Sequence, residues 1–297
     1  LKLHNNVLDG WHKDWERLFA SVNNIIVPSE DTKRRISAVY KNINIKVIEH
    51  GIDMESYDCS RKHSNKIFNV AYVGVLSNHK GLYIFKELIK SKEKNIEFHL
   101  FGYSEDKKMN RSKGNYIYHG KYNRQTLAKQ LNTNNIDLVC FLQISPETYS
   151  YTVQEVIASG IPMISYDIGA GADRIKANNL GWVVPLAYKA NDIIKKIIEI
   201  KDNPFEYNEK IKSINKYKIK NVKKMNEEYL KIYKTGDNKK SINQEELSKF
   251  IKNSYLISNS GSNEELEAIL NSTKWRLVNK INFSPRMTNF IRKIIRR

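Results

Sequence analysis

Residues 136–166, with the sequence IDLVCFLQISPETYSYTVQEVIASGIPMISY, contain two apolar runs that flank a polar loop and a short helical segment. The run Ile136–Leu142 predicts a buried strand, Thr152–Ser159 predicts a helix that ends at Gly160, and Pro162–Tyr166 predicts the next strand. Apolar strands that alternate with helices indicate a parallel sheet with helices on both faces. The loop at the carboxyl end of such a strand is where open sheets of this kind bind ligands.

Two carboxylates lie in this region. Glu147 is on the loop, and Glu155 follows eight positions later, about one turn into the helix. Carboxylates accept hydrogen bonds from hydroxyl groups, and the N–H groups of a helix N-terminus bind phosphate. Together they can hold the hydroxyls and phosphates of a nucleotide sugar. The alternative is that both glutamates are ordinary solvated side chains, since any strand–loop–helix unit can carry them.

The rest of the chain continues this alternation, which predicts an α/β fold with a Rossmann-like, doubly wound parallel sheet and a C-terminal helical extension. Gly169–Arg174 is expected to form a tight turn against the ligand cleft. Phe205–Tyr233 is expected to form one or two lysine-rich helices. Further strands are expected at residues 24–27, 46–49, 67–73, 96–101, 116–119 and 182–185, and further helices from Ser29 and over 82–89, 124–132 and 190–200.

Composition limits the function classes. The 297 residues are 40% hydrophobic, enough for one large or two modest domains. No apolar run reaches the roughly 18–20 residues needed to span a bilayer, and no signal peptide is visible at the start. Cys59 and Cys140 do not make a disulfide framework, and the scattered histidines show no zinc spacing, so no metal site is expected.

The net charge of +18 requires a partner or another explanation. Nucleic acid, anionic lipid and a phosphate-bearing substrate are candidate partners. A lysine-rich surface without any such partner is the alternative. No nucleic-acid recognition motif is present, so nucleic acid is not an expected partner, and a basic nucleic-acid-binding protein is kept only as an alternative function.

Two more loops at strand ends carry candidate ligand-binding residues. The first, from Gly74 to Gly81, contains Gly74, where a ligand can approach the backbone closely, and Lys80, which can contact a diphosphate as a point charge. The second contains Gly120, which permits close approach, and Lys121 or Tyr122, either of which can cover a bound group. An ordinary surface lysine and an ordinary β–α turn are the alternatives.

The acidic pair resembles that of retaining glycosyltransferases with the GT-B fold, family 4 in particular. Pro146–Thr152 is similar to a string found in transferases of bacterial surface polysaccharides, and the resemblance covers about residues 19–233. It implies that Glu147 holds the transferred sugar, that Lys80 contacts the diphosphate and that Glu155 binds the ribose hydroxyls. Glu147 and Lys80 are the expected catalytic residues.

The resemblance also implies the remaining donor contacts. Backbone N–H groups between the two acids are expected to orient sugar and phosphate, the Thr152 hydroxyl to bond a phosphate oxygen, and the Gly120 loop to wrap the nucleobase. The expected donor site comprises Gly74, Lys80, Gly120, Lys121, Tyr122, Glu147, Thr148, Tyr149, Ser150, Tyr151, Thr152 and Glu155.

The chain departs from the family pattern at two places. Family members carry an arginine in the Gly74 loop where this chain has Val75, so one of two usual diphosphate cations is missing. Tyr149, Ser150 and Tyr151 replace the glycine-rich residues that many relatives have between the acids. The first departure, together with the missing N-terminal half of a GT-B enzyme, motivates an alternative function, a non-catalytic donor domain kept as a scaffold.

The resemblance implies a hexosyl-type transferase of bacterial polysaccharide or lipopolysaccharide biosynthesis that retains the anomeric configuration. Helix N-termini and basic side chains are expected to stabilise the departing nucleotide diphosphate in place of a metal, because charge develops there. Neither acid need be a covalent nucleophile. No cofactor is expected, since the nucleotide sugar is a co-substrate, and the expected acceptor is a glycan or a lipid-linked sugar.

Four regions are expected along the chain. Residues 1–53 resemble the end of an N-terminal acceptor domain and its crossover, 54–203 form the donor domain, 204–234 form C-terminal helices, and 235–297 form a linker and tail. A complete GT-B enzyme has a whole acceptor domain. The chain is therefore expected to be the donor half of a larger protein, or a truncated transferase, and to be inactive or able only to bind donor when isolated.

The C-terminal segment 284–297 predicts a basic amphipathic helix, a kind of helix that lies on anionic membrane surfaces. The chain is therefore expected to be cytoplasmic and peripheral at the inner face of the cytoplasmic membrane. The alternative is that the apolar stripe docks on the protein's own missing portion. The stripe consists of Met287, Phe290, Ile291, Ile294 and Ile295, and the basic residues are Arg286, Arg292, Lys293, Arg296 and Arg297.

Overall fold

A computed structural model describes residues 5–54 and 67–235 of the chain. One compact unit spans Asn23–Asp237, and helix α1 (Asn5–Ser21) belongs to the other. No helix in the described ranges is long and apolar enough to cross a membrane. The linker and basic tail predicted at 235–297 lie outside these ranges except for Thr235.

Two sets of parallel strands form the larger unit. Strands β1 (Ile25–Val27) and β2 (Ile45–Val47) make a short pair. The central sheet consists of β3 (Phe68–Leu76), β4 (Ile96–Ser104), β5 (Tyr116–Gly120), β6 (Ile136–Phe141), β7 (Met163–Tyr166) and β8 (Gly181–Val184).

The order of strands in the central sheet is β5–β4–β3–β6–β7–β8, with every pair parallel. This order is that of a Rossmann-like, doubly wound sheet, and it confirms the predicted fold class. Strands β4 and β5 are added on one side of β3, whereas β6, β7 and β8 are added on the other side, so the strand order reverses between β3 and β6. Ligands of such sheets bind outside the carboxyl ends of the strands at this switch point.

Helices cover both faces of the sheet. One face is packed around Phe85 and Ile193, and the other around Leu127 and Val153. All six residues of β6 are buried because both of its faces are covered, and all of them except Asp137 are apolar. The helices are α2 (Glu30–Val39), α3 (Leu82–Leu88), α4 (Arg124–Thr133), α5 (Tyr151–Ala158), α6 (Gly169–Ala177), α7 (Ala190–Asp202), α8 (Pro204–Lys216) and α9 (Val222–Thr235).

Three local predictions are corrected. The tight turn predicted at Gly169–Arg174 is instead the start of helix α6, whose residues Ala170, Ala172 and Ile175 are buried. Strands β3 and β4 both continue past their predicted ends at Val73 and Phe101, to Leu76 and Ser104, so Gly74 lies in β3 and not in a loop. Gly102 lies within β4. Only glycine fits at this position, because any side chain would collide with the backbone of Gly74 in β3.

Candidate functional site

The loops that follow β3 and β6 are joined at the switch point. The loop after β3 forms a short 3-10 turn, Asn78–Lys80, and the Ile144 N–H donates to the His79 carbonyl at 2.9 Å. Gly81 has a φ of +88°, and a Cβ there would collide with the carbonyl oxygen of Leu142. The two loops therefore have little freedom to move apart.

Lys80 and Glu147 form an ion pair across this switch point. The Lys80 Nζ lies 2.8 Å from the Glu147 Oε1, and the side chains are 35% and 26% exposed. A partly exposed pair of this kind contributes little to stability because water solvates both charges. Each side chain can therefore leave the other and bind a ligand with only a small loss of free energy.

Glu155 has a very different environment. It is 3% exposed, and each carboxylate oxygen has a partner: Arg124 donates Nε–H to Oε1 at 2.6 Å, and the Tyr122 hydroxyl donates to Oε2 at 3.0 Å. Burial and the nearby Glu155 charge raise the pKa of Tyr122, so the phenol is neutral and a donor. A buried carboxylate needs such partners to offset its lost hydration.

An aromatic stack covers the approach to Glu155. The Arg124 guanidinium carbon lies 5.5 Å from the centroid of the Tyr151 ring, and the His50 ring stacks near-parallel on Tyr151 at 5.4 Å. Burial and the charge of Arg174 lower the pKa of His50. A neutral imidazole therefore faces Tyr151 at neutral pH, and Arg124 is the cation of the stack.

Arg174 fixes the backbone between the two acids. Its guanidinium carbon lies 4.1 Å from the centroid of the Tyr149 ring, and its Nη2 donates to the Tyr149 carbonyl at 3.1 Å. Tyr149 is 2% exposed, and its hydroxyl donates to the His50 carbonyl at 2.6 Å. Tyr149 can therefore meet a ligand only through its backbone.

Further contacts hold the carbonyl groups of this segment. The Ala170 N–H donates to the Glu147 carbonyl at 3.1 Å, and the hydroxyls of Ser29 and Thr32 donate to the Thr148 carbonyl at 2.7 and 3.1 Å. With its carbonyls engaged, the segment from Glu147 to Ser150 makes no hydrogen bond through its N–H groups among the residues described. Donors for an anionic or hydroxyl-bearing ligand are thus left over.

The other predicted site residues lie around the same crevice. A Cβ on Gly74 would lie 3.9 Å from the Thr152 Oγ1, which places the end of β3 against the start of α5. Gly120 has a φ of +79° and faces open space. The Lys121 Nζ lies 5.3 Å above the Tyr103 ring, so this side chain covers a neighbouring aromatic group.

Sequence reasoning missed three residues of this site: His50, Arg124 and Arg174. Arg124 had a detectable signal, because it is the first residue of α4, where the helix dipole disfavours a cation. A cation at that position indicates another negative partner, which is Glu155. His50 and Arg174 had no such signal, because their roles depend on tertiary packing against Tyr149 and Tyr151.

Solved structures with a similar fold share little sequence with this chain. A variant of S. aureus TarM, in complex with fondaparinux, alpha-GlcNAc-glycerol and UDP, aligns with a TM-score of 0.56 and 19% identity over 73% of this chain and 45% of that one. Sucrose-phosphate synthase from Thermosynechococcus elongatus gives 0.59 and 16%, over 74% and 60%. The lipopolysaccharide outer core galactosyltransferase WaaB gives 0.54 and 16%, over 71% and 62%. The chain thus spans about half to under two thirds of these proteins.

Sequence comparison gives the family. No curated protein sequence gives a significant match to the chain. The family model described as glycosyl transferases group 1 matches residues 55–221, which is more than half of the 297 residues and includes all six strands of the central sheet. The chain belongs to the glycosyl transferases group 1 family.

Proposed function

We propose that this chain is the donor-binding part of a retaining, nucleotide-sugar-dependent glycosyltransferase of family 4 type. The observation that carries the proposal is the pairing of Lys80 with Glu147 across the switch point, next to a buried and fully partnered Glu155. Two carboxylates suited to hydroxyl groups lie on either side of a helix N-terminus suited to phosphate. The order Glu155, helix N-terminus, Glu147 matches the order ribose, diphosphate, sugar in a nucleotide sugar.

Each end of the donor is assigned to one acid. Glu155 accepts hydrogen bonds from the ribose hydroxyls, and Glu147 accepts them from the transferred sugar. Lys80, released from Glu147, contacts the diphosphate, together with the N–H groups from Glu147 to Ser150 and at the start of α5. The Thr152 hydroxyl bonds a phosphate oxygen, and the Gly120 loop wraps the nucleobase.

Catalysis consists mainly of stabilising the leaving group. As the bond between sugar and diphosphate breaks, negative charge accumulates on the diphosphate, and preorganised N–H groups and cations stabilise it. The proposed reaction needs no metal ion and no cofactor. In a protein that also contains a complete acceptor domain, turnover that is unchanged in EDTA supports this part, and turnover that is abolished by EDTA and restored by Mg²⁺ contradicts it.

The proposed acceptor is a glycan or a lipid-linked sugar of a bacterial surface polysaccharide. The glycan ligands of the TarM variant and the lipopolysaccharide in the name of WaaB support this class of acceptor. The basic segment 284–297 supports a peripheral position on an anionic membrane. Co-sedimentation with phosphatidylglycerol vesicles, lost when Arg292, Lys293, Arg296 and Arg297 are replaced by Gln, tests this position.

A thermal-shift panel of UDP-, GDP- and dTDP-linked sugars tests donor binding. We expect nucleotide sugars with one of the three bases to raise the melting temperature of the wild-type chain. Glu155→Gln should remove most of that rise, because an amide cannot accept hydrogen bonds from two ribose hydroxyls as a carboxylate does. Lys129→Ala, an exposed change on α4, is the control. A folded chain that responds to no nucleotide sugar supports the scaffold alternative instead.

A further inference from the structure

Arg124 is the least confined member of the Glu155 cluster. Its side chain is 52% exposed, whereas the carboxylate side chain that it covers is 4% exposed. Only its Nε donates to Glu155, and among the described residues its Nη atoms make no hydrogen bond. One end of the guanidinium therefore covers the acid, and the other end has unused donors.

A ribose has little access to Glu155 while Arg124 and Tyr122 both remain in place, because the Glu155 side chain is only 4% exposed. The carboxylate is almost fully buried and each oxygen already accepts one hydrogen bond. Tyr122 is more confined, because its ring is half-buried beside the start of α5. Arg124 is thus the partner that an incoming pair of hydroxyls displaces.

The charges of the site favour this exchange. Without ligand, two acids are each paired with one base, Glu147 with Lys80 and Glu155 with Arg124. A nucleoside diphosphate adds at least two negative charges, while its ribose hydroxyls take over hydrogen bonds to Glu155. The end of β3 offers no cation, since Val75 stands there.

The displaced guanidinium starts close to the place where the diphosphate is proposed to bind. Arg124 stacks on Tyr151, the first residue of α5, and the N–H groups of that helix start belong to the proposed phosphate site. A small rotation of a half-exposed side chain keeps it on this end of the helix. A guanidinium donates in a fork that suits two phosphate oxygens at once.

We propose that Arg124 is an exchangeable cation: it covers Glu155 in the free protein and moves to the diphosphate when ribose takes its place, supplying the charge that Val75 does not. This inference rests on the proposed function, and it deepens it by naming a leaving-group contact. Removal of Arg124 should then change the affinities for a nucleoside and for a nucleoside diphosphate in opposite directions. A nucleoside only has to displace Arg124, whereas a diphosphate also gains it.

Calorimetric titration at pH 8 tests this difference, first with UDP, GDP and dTDP on the wild-type chain, then with the tightest of these and its nucleoside on Arg124→Ala. We expect the diphosphate to bind Arg124→Ala at least about tenfold more weakly than the wild-type chain, because a charged hydrogen bond is lost. The nucleoside should bind as well as before or about two- to fivefold more tightly, because the competing ion pair is half-exposed and weak. Arg124→Lys should recover part of the diphosphate affinity.

Lys129→Ala removes the same charge from α4 outside the site and should change neither affinity by more than about twofold, because exposed charges are screened by salt. Equal weakening of nucleoside and diphosphate by Arg124→Ala would overturn the exchange, since it is the result expected if Arg124 only holds the site together. Unchanged diphosphate affinity would overturn it too. Failure of the wild-type chain to bind any of the three diphosphates would instead overturn the proposed function, and the exchange with it.

Discussion

The two acids of the site are chemically alike, but the fold gives them different environments. Glu147 lies on a loop, a quarter exposed, with one partly exposed lysine as its partner. Glu155 lies inside a helix, nearly fully buried, between a guanidinium and a phenol. Their spacing in the sequence indicates that both belong to the site, but it cannot indicate this difference in burial.

The difference predicts unequal stability effects for the same substitution. Glu147→Ala should change the free energy of unfolding by no more than about 0.5 kcal/mol, because an exposed ion pair contributes little. Glu155→Ala should lower it by about 1–3 kcal/mol, because it leaves a cavity and two donors without their acceptor. Urea unfolding followed by circular dichroism measures both. Equal effects would contradict the buried position of Glu155.

Much of the site was predictable residue by residue. The predicted residues lie near one switch point: Gly74 close to the end of β3, Lys80 and Glu147 after β3 and β6, and Glu155 about one turn into α5. Such positions are visible in a sequence. The Arg124 contact was not predictable in the same way, since it joins the start of one helix to the interior of another.

At the scale of elements, glycine positions show how closely the loops approach. Gly81 and Gly120 both have a left-handed φ, +88° and +79°. The first lies against the Leu142 backbone, whereas the second faces open space. The sequence predicts both as loop glycines and cannot distinguish them, because the crowding comes from a segment that is distant in the chain.

These two glycines form a matched pair for substitution. Gly120→Ala should lower the free energy of unfolding by about 1–2 kcal/mol, the cost of a left-handed alanine. Gly81→Ala has that cost and also a collision with a backbone carbonyl, so it should lose at least about 1 kcal/mol more. Chemical denaturation compares them. A smaller loss for Gly81→Ala would contradict the close approach of the two loops.

Strands β3, β4 and β5 are joined by a buried polar chain. The Asn69 side-chain amide donates to the Asn135 carbonyl at 2.9 Å, which leaves its oxygen to accept from the Nε2 of His99 at 3.2 Å. The Nδ1 of His99 then accepts from the Nε2 of His119 at 3.0 Å. This arrangement requires a neutral His99, and burial followed by the His119 charge lowers its pKa to about 4.

The lowered pKa predicts a loss of stability in acid. An unfolded histidine has a pKa of about 6.5, so between about pH 6.5 and 4 the unfolded chain binds the proton and the folded chain does not. The free energy of unfolding should therefore fall as the pH falls through this window, by up to about 3 kcal/mol from His99, and its contribution should level off below. Urea titrations from pH 7 to 4 measure the slope. The same slope in His99→Gln would contradict the assignment.

At the scale of the whole molecule, the alternation of strands and helices predicted the layers of the fold, but not the order of strands in the sheet. Hydrophobic periodicity reports which faces are buried, whereas strand order depends on crossovers between distant segments. The structure supplies that order, and with it the reversal between β3 and β6. The family match over residues 55–221 includes all of this sheet and assigns it to the glycosyl transferases group 1 family.

The central claim is that Glu147 holds the sugar of a nucleotide sugar while the rest of the site holds the nucleotide. Calorimetric titration of the wild-type chain and Glu147→Gln with one nucleotide sugar and its nucleoside diphosphate tests it most directly. We predict that Glu147→Gln binds the nucleotide sugar about tenfold or more weakly than the wild-type chain, because charged hydrogen bonds to the sugar hydroxyls are lost. The nucleoside diphosphate should bind unchanged or more tightly, because Lys80 is released. Equal affinities of both proteins for the nucleotide sugar, or no binding by the wild-type chain, would contradict the account.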